Sequence, residues 1–142
     1  MKVTLSVLKA DVGSIGGHTK PSIRMIDVVK KEVKEAIRKS LIIDAFVSYT
    51  GDDIAILCSH KRGVNSPDIH MFAWNAFLKA TEVARKYGLY AAGQDLLVDA
   101  PSGNIRGAGP GVAELEFDHN PVKGSIRPAE SFMVLACDKC SA

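Results

Sequence analysis

The alternation of apolar and polar residues predicts a strand, a helix and a β-hairpin in the first part of the chain. Residues 3–7 alternate strictly between apolar and polar side chains, which is typical of a strand with one buried face. A glycine-containing loop over residues 9–20 follows, and apolar positions at helical spacing over residues 21–37 predict the first helix. Residues 41–49 and 53–59 are apolar runs on either side of a glycine turn, which predicts a hairpin.

Start and stop signals define a second helix, and two further strands follow it. Ser66 is an N-cap residue followed by proline, and Gly88 ends the apolar stripe of this helix. A loop is predicted over residues 90–111, and strands over residues 112–117 and 131–137. The order strand, helix, strand, strand, helix, strand, strand predicts an α+β fold. Its first six elements resemble a split β-α-β arrangement with both helices on one face of the sheet.

This organisation predicts a single domain over residues 1–142, a length that can bury its own core. Because both helices cover one face of the sheet, the opposite face needs a cover from oligomerisation or from further sequence. The chain ends directly after an apolar strand, so we expect it to be a fragment or a truncated gene product.

Composition and charge argue against several classes of protein. The chain is 46% hydrophobic and 24% charged, which is usual for a globular protein. Its net charge of +2, without a long run of like charge, argues against binding to nucleic acid or to a membrane surface. No apolar run approaches the roughly 20 residues of a membrane-spanning helix. The N-terminus lacks the pattern of a signal peptide, which predicts a cytoplasmic protein.

The three cysteines, Cys58, Cys137 and Cys140, do not indicate a disulfide framework. Cys58 lies in an apolar strand and is predicted to be a small buried residue. Cys137 and Cys140 resemble half of a zinc or redox motif, but the sequence contains no second cysteine pair to complete it. Metal or redox use of this pair is therefore the less favoured interpretation.

Two adjacent aspartates at the tip of the hairpin form a candidate metal site. Asp52 and Asp53 follow Gly51 between two apolar runs. Adjacent carboxylates raise each other's pKa unless a cation lies against them. Oxygen ligands of this kind favour a hard cation such as Mg²⁺. The triplet also fits an ordinary solvated turn, so these residues alone leave both interpretations open.

Similar polar residues follow other apolar elements of the chain. They are Asp11 after the first strand, Gln94 and Asp95 in the long loop, and Asp138 and Lys139 after the last strand. The acidic groups among them repel one another unless cations are present. If these segments converge, a cluster of two or more Mg²⁺ ions would neutralise them, and such clusters suit phosphate chemistry.

A glycine-rich segment over residues 102–111 fits phosphate binding. Its glycines let backbone N–H groups approach an anion, and Arg106 adds a forked donor. The segment matches neither a P-loop nor a dinucleotide-binding fingerprint, and a structural glycine loop is the favoured interpretation of this pattern alone. His18 follows two glycines, which favours a ring outside the core with a metal or phosphate role.

Several ordered blocks resemble the archaeal-type fructose-1,6-bisphosphate aldolase/phosphatase family over nearly the whole chain. The blocks are Lys9-Ala10-Asp11-Val12-Gly13, Gly17-His18, Gly51-Asp52-Asp53, residues 90–97, residues 102–107 and Asp138-Lys139. Members of this family are longer, and the resemblance covers their N-terminal part. It implies a layered α-β-β-α sandwich, to which this chain would supply a mixed or antiparallel sheet and two helices, and assembly as a homo-octamer.

The resemblance further implies a magnesium-dependent, bifunctional enzyme of gluconeogenesis. Such an enzyme condenses dihydroxyacetone phosphate with glyceraldehyde 3-phosphate, and then hydrolyses the 1-phosphate of fructose 1,6-bisphosphate. Asp11 matches a magnesium ligand that is also the general base of the phosphatase step, and His18 matches a ligand of metal and sugar phosphate. The remaining matches are Asp52, Asp53, Gln94 and Asp138 as magnesium ligands, and Tyr90, Gly103, Asn104 and Lys139 as sugar-phosphate contacts.

The resemblance does not extend to the Schiff-base lysine of the family and its tyrosine partner, which lie in the C-terminal part. The predicted activity is therefore the phosphatase step, and no lysine of this chain is assigned to the aldolase step. One alternative is a truncated, non-catalytic module that binds metal and sugar phosphate. Another is a structural oligomerisation domain with acidic turns, which does not explain the ordered motifs.

Overall fold

A computed structural model describes residues 2–96 and 109–118 of the chain. Within these ranges the protein has four strands, two α-helices and one short 3₁₀ helix. In chain order they are β1 (Lys2–Asp11), α1 (Ile23–Arg38), β2 (Asp44–Thr50), β3 (Asp53–His60), α2 (Pro67–Lys86), the 3₁₀ helix (Gln94–Leu96) and β4 (Gly111–Asp118).

The described strands form one antiparallel sheet in the order β2-β3-β1-β4. Both β1 and β2 run antiparallel to β3, which lies between them, so β1 and β2 are parallel to each other. Helix α1 connects these two parallel strands. This is the split β-α-β arrangement predicted from the sequence, and the α+β fold is confirmed.

Helix α2 begins at the predicted residue and α1 begins at Ile23, two residues after the predicted start, and the two helices are capped differently. At α1, the Ser22 hydroxyl accepts a hydrogen bond from the Met25 backbone N–H (3.3 Å). At α2, Ser66 occupies the N-cap position without a side-chain cap bond, and its carbonyl accepts from the His70 N–H (3.0 Å). Pro67 at the first helical position has no N–H that needs a partner, so the missing side-chain cap bond destabilises the start of α2 only slightly.

The structure corrects the bounds of two strands and adds one element. Strand β2 covers Asp44–Thr50, whereas the sequence predicts a strand over residues 41–49. The loop predicted from residue 9 begins only after Asp11, because β1 stays paired with β3 up to the pair of Asp11 and Asp53. The segment predicted as a continuous loop from residue 90 contains the short 3₁₀ helix. The strand predicted over residues 131–137, with Cys137 and Cys140, lies outside the described residues.

The core lies between the helices and one face of the sheet. Alternate residues of β1 and β3 supply the sheet side, with Leu8 and Ile56 almost completely buried. Met25 and Val29 of α1 pack against this face, as does the predicted apolar stripe of α2 with Phe77 at its centre. Cys58 is buried in this core, as predicted, and burial raises the pKa of its thiol to about 12.

The opposite face of the sheet is apolar and open within the described residues. Phe46 of β2 and Leu115 of β4 lie on this face with 65% and 52% of their surface exposed. The expectation that the helices cover a single face therefore holds for this part of the chain. Neither α1 nor α2 is long and apolar enough to cross a membrane, and no other described helix is.

Candidate metal centre

The register of the sheet brings the predicted aspartates of two strands to the same edge. Asp11 is the last residue of β1 and lies directly opposite Asp53, the first residue of β3. Asp52 is the second residue of the two-residue turn that joins β2 to β3, and Asp53 follows directly after this turn. Gly51 opens this turn with a φ of 57°, which glycine adopts without a steric cost. All three carboxylates are buried despite their position at a turn.

The loop after β1 carries His18 back towards these aspartates. His18 Nδ1 lies 2.7 Å from Asp52 Oδ2 and 3.5 Å from Asp11 Oδ2. One ligand atom from each of Asp11, His18 and Asp52 lies within 4.8 Å of the others. We call these three residues the acidic centre. The Tyr90 ring packs edge-on against the His18 ring, with the ring centroids 4.9 Å apart.

Hydrogen bonds join the loop after β1 to the segment after α2, beside the acidic centre. Ser14 and Tyr90 exchange backbone hydrogen bonds of 2.9 and 3.2 Å, and the Gly93 N–H donates to the Val12 carbonyl (2.9 Å). These bonds hold the 3₁₀ helix against the end of β1. As a result, Asp95 Oδ2 accepts a hydrogen bond from the Asp11 backbone N–H (2.8 Å).

Gly13 allows this close packing. Its φ of 139° lies in a region that side chains rarely adopt, and a Cβ at this position would lie 2.6 Å from the Ala84 Cβ of α2. The chain can therefore turn away from β1 directly beneath the acidic centre only with glycine at this position.

Asp11 has a strongly perturbed environment in this site. Burial, together with the nearby carboxylates of Asp52, Asp95 and Asp53, raises the pKa of Asp11 to about 7. A hydrogen bond from the Gly13 N–H to Asp11 Oδ1 (3.3 Å) opposes this rise only in part. The site thus concentrates negative charge in a place with little access to water, which a divalent cation would relieve.

The donor set fits a hard metal ion. Carboxylate oxygens dominate it, and Mg²⁺ binds such oxygens in preference to softer ligands. Gln94 begins the 3₁₀ helix beside Asp95, and its buried Oε1 has no hydrogen-bond partner within the described part of the chain. An amide oxygen in that state suits a metal ligand, since burying it without any partner costs free energy.

The described structure brings some of the predicted site residues together and leaves others outside. Asp11, His18 and Asp52 form the acidic centre, and Asp53, Gln94 and Tyr90 lie on the segments that surround it. Four predicted positions fall outside the described residues, namely Gly103, Asn104, Asp138 and Lys139, as does most of the glycine-rich segment.

Two residues acquire contacts that the sequence did not predict. The sequence predicts Asp95 to be a polar loop residue, but its bond to the Asp11 backbone depends on how the two loops pack. Lys9 falls within the predicted loop over residues 9–20, yet it lies on β1 and its ammonium donates to Asp53 Oδ2. Its position two residues before Asp11 was the available signal, because residues i and i+2 of a strand share a face.

Sequence comparison with known proteins finds a matching family model and several relatives. The family model described as fructose-1,6-bisphosphatase matches residues 2–142. The fructose-1,6-bisphosphate aldolase/phosphatase of Thermus thermophilus is 56% identical over 139 residues, which are 98% of this chain and 36% of that protein. The enzyme of the same name from Cenarchaeum symbiosum is 50% identical over 139 residues, covering 98% of this chain and 34% of the relative.

A third relative of the same name, from Thermococcus onnurineus, is 46% identical over 138 residues, covering 97% of this chain and 35% of the relative. The chain thus spans about a third of the length of the curated relatives it matches. Since the family model matches almost every residue, including those of the acidic centre, the chain belongs to the fructose-1,6-bisphosphatase family.

Proposed function

We propose that this chain carries the metal site of a magnesium-dependent phosphatase that hydrolyses the 1-phosphate of fructose 1,6-bisphosphate. The convergence of Asp11, His18 and Asp52 within 4.8 Å carries this proposal. The names of the family and of the relatives support the substrate, and the oxygen-rich donor set supports magnesium. Hydrolysis would yield fructose 6-phosphate and inorganic phosphate.

Asp11, His18, Asp52, Asp53 and Gln94 would hold the metal, with Asp138 as a further ligand by resemblance. When bound, Mg²⁺ neutralises phosphate oxygens and lowers the pKa of a coordinated water. More than one ion fits the number of acidic groups at this edge of the sheet. The chain's own contribution is a rigid set of carboxylates fixed by the strand register, so the ligands need little rearrangement.

Asp11 is the proposed general base. Its carboxylate would take a proton from the water that attacks phosphorus, while the sugar O1 leaves with the electrons of the P–O bond. The pKa of Asp11 is about 7 without metal, and Mg²⁺ at the site would lower that pKa and keep the carboxylate ionised, which is the form that accepts a proton. The Asp11 backbone is held by Asp95, which fixes the position of the base at the strand end.

His18 and Tyr90 are proposed contacts of the sugar phosphate. Their rings pack against each other, and both side chains are more than 40% exposed at the mouth of the site. Gly103, Asn104 and Lys139 would complete the substrate contacts, an assignment that rests on the resemblance. In the same way we propose that the chain acts in gluconeogenesis in the cytoplasm, in a homo-oligomer of the octameric type.

The names of the relatives also support an aldolase step in proteins of their full length. We propose that the triose phosphates, dihydroxyacetone phosphate and glyceraldehyde 3-phosphate, are substrates only where the remaining two thirds of such a protein are present. For the 142-residue chain alone, the competing proposal is a module that binds metal and sugar phosphate without turnover.

Phosphate release from fructose 1,6-bisphosphate tests the proposal. We expect release in the presence of magnesium, its loss in EDTA, and a fall of roughly 10²–10⁴-fold in Asp11→Asn, the usual contribution of a general base. Asp44→Asn is the matched control, because Asp44 is an exposed carboxylate at the start of β2. Magnesium-dependent thermal stabilisation without any release would favour the binding module over the enzyme.

A further inference from the structure

Lys9 makes an ion pair inside the proposed metal site. Lys9 and Asp11 share a face of β1, and Asp53 lies opposite Asp11 on β3, so the ammonium reaches Asp53 diagonally across the two strands. Lys9 Nζ donates to Asp53 Oδ2. The side chain of Asp53 is 2% exposed and that of Lys9 is 26% exposed, so the pair is shielded from water but not sealed from it.

The neighbouring strand leaves room for the Lys9 stem. Gly111 of β4 is the register partner of Lys9. A Cβ at position 111 would lie 3.2 Å from Lys9 Cγ and 3.6 Å from Lys9 Cε. Gly111 does not have a left-handed φ, so its backbone conformation does not require glycine. The space above Gly111 therefore explains its residue type, because the aliphatic stem of Lys9 lies in that space.

The ion pair of Lys9 and Asp53 offsets part of the negative charge of the site. The carboxylates of Asp52, Asp53 and Asp95 all act electrostatically on Asp11, and without metal they repel one another. Burying an unpaired carboxylate costs several kcal/mol. The Lys9 ammonium offsets one of these charges within the chain. A divalent cation at Asp53 would meet the positive charge of Lys9 at close range, and the two cations would compete for the same carboxylate.

We propose that Lys9 is the internal counter-cation of this site, binding Asp53 in the metal-free protein and giving way when a divalent cation binds. This inference rests on the proposed metal site. Lys9 thereby stabilises the folded chain before metal arrives and limits the affinity for the metal. Removing the charge of Lys9 should therefore lower the stability of the metal-free chain and raise its affinity for the metal. A residue with a merely structural role would change stability and metal affinity in the same direction.

The test compares the 142-residue chain with its Lys9→Met variant, which keeps the length of the stem over Gly111. In EDTA the melting temperature should fall by about 3–6 °C, since a buried carboxylate loses an ion pair. In isothermal titration with MgCl₂, the dissociation constant should decrease on the order of tenfold, because the competing charge is gone. Lys9→Arg keeps the charge and should change both quantities less.

Two further variants sharpen the result. Gly111→Ala displaces the Lys9 stem and should shift both quantities in the same directions as Lys9→Met, by a smaller amount. Lys2→Met is the matched control on the same strand, because Lys2 pairs with the exposed Glu116 at the far end (3.0 Å). This control should leave magnesium affinity at the wild-type value.

Specific outcomes overturn the inference. An unchanged melting temperature of Lys9→Met in EDTA would remove the role in the metal-free protein. Weaker magnesium binding by Lys9→Met would remove the competition and make Lys9 a supporting residue of the metal-bound state. Absence of magnesium binding by the wild-type chain would instead overturn the proposed metal site itself, and the inference with it.

Discussion

The acidic centre and a second buried polar cluster contain similar residues in opposite electrostatic surroundings. The second cluster lies on the helix-facing side of the sheet, and we call it the Glu114 cluster. Its members are Ser6 of β1, His60 of β3, His70 of α2 and Glu114 of β4. Both sites combine a buried carboxylate with histidine, yet only one of them has the charge of a metal site.

Hydrogen-bond donors surround Glu114 on both of its oxygens. Ser6 Oγ (3.0 Å) and His70 Nε2 (2.9 Å) donate to Oε1, and the Asn65 backbone N–H (2.6 Å) donates to Oε2. Burial by itself would raise the pKa of Glu114, but these donors outweigh it and hold the pKa below its ordinary value. The carboxylate is stable as an anion without any metal.

Asp11 is more deeply buried and lies among carboxylates, so burial and its neighbours both raise its pKa. Its pKa is raised to about 7 because burial adds to the repulsion from Asp52 and Asp95. The comparison indicates that a histidine beside a buried carboxylate does not identify a metal site. The balance of hydrogen-bond donors and acceptors identifies a metal site instead, because a cation stabilises a site in which acceptors outnumber donors.

The Glu114 cluster also superficially resembles a hydrolytic triad of serine, histidine and glutamate. The His60 Nδ1 accepts a hydrogen bond from the Arg62 backbone N–H (3.2 Å). The hydrogen of the neutral ring is therefore on Nε2, which donates to Ser6 Oγ (2.8 Å). A ring in this tautomer does not take the proton of Ser6. Burial lowers the pKa of His60, which keeps the ring neutral.

The largest expected difference between the two sites is in function. Asp52→Asn removes one anionic ligand atom from the acidic centre, and we expect it to reduce magnesium affinity and phosphate release by about 100-fold or more. Glu114→Gln should leave both within about threefold of the wild type, since the Glu114 cluster supplies no metal ligand. Calorimetric titration and a phosphate-release assay measure the two effects. Equal losses in both variants would remove the distinction between the sites.

The next largest expected effect is on the free energy of unfolding, and here the Glu114 cluster is the site whose loss matters more. Glu114→Ala leaves Ser6 and His70 without their shared acceptor, and we expect the free energy of unfolding to fall by about 2–4 kcal/mol. Glu116→Ala is the control, because Glu116 lies on the same strand and pairs with an exposed lysine, which is worth less than about 1 kcal/mol. Urea unfolding in EDTA measures both variants. A Glu114→Ala variant as stable as Glu116→Ala would contradict a structural role for the cluster.

The smallest effect is a pH dependence of opposite sign at the two sites. In metal-free protein, the folded pKa of Asp11 is about 7, above its ordinary value of 3.8. Its contribution to stability is therefore complete below about pH 4 and is lost as the pH rises through 7. The folded pKa of Glu114 is lowered, so its contribution is present above its unfolded pKa and is lost on acidification.

Melting curves in EDTA between pH 4 and pH 8 separate these contributions. Asp11→Asn should remove most of the decline between pH 4 and pH 7 and should stabilise the metal-free chain at pH 8 by about 1–3 kcal/mol. Asp44→Asn, at an exposed carboxylate, should keep the decline. A decline of the same size over this pH range in Asp11→Asn would assign the titration to another group.

Local patterns were sufficient to predict much of this fold. The period of two in β1, the helical spacing in α1 and the glycine turn before Asp52 each reflect a local preference that tertiary packing did not override. The end of β1 was not predictable in this way. Lys9 and Asp11 are polar residues within a strand, and only their pairing with Asp53 and Gly111 across the sheet explains their extended conformation.

Local patterns also predicted only part of the candidate site. Aspartates after apolar runs indicated Asp11 and Asp52, because a polar residue at a strand end is a signal within the sequence. The role of Asp95 depends on two loops that pair through Ser14 and Tyr90, and this pairing has no local signature. The donors around Glu114 come from different elements of the chain, so the sequence did not separate this carboxylate from a potential ligand.

The two-residue turn at Gly51 and Asp52 has a consequence for how this chain can vary. Side chains alternate between the faces of a strand, so one extra residue in this turn that shifted β3 against β1 would direct Asp53 towards the helices. That single insertion would separate Asp53 from Lys9 and Asp11 without changing any of the three residues. The length of this hairpin is therefore a requirement of the site in its own right, beside the identity of its side chains.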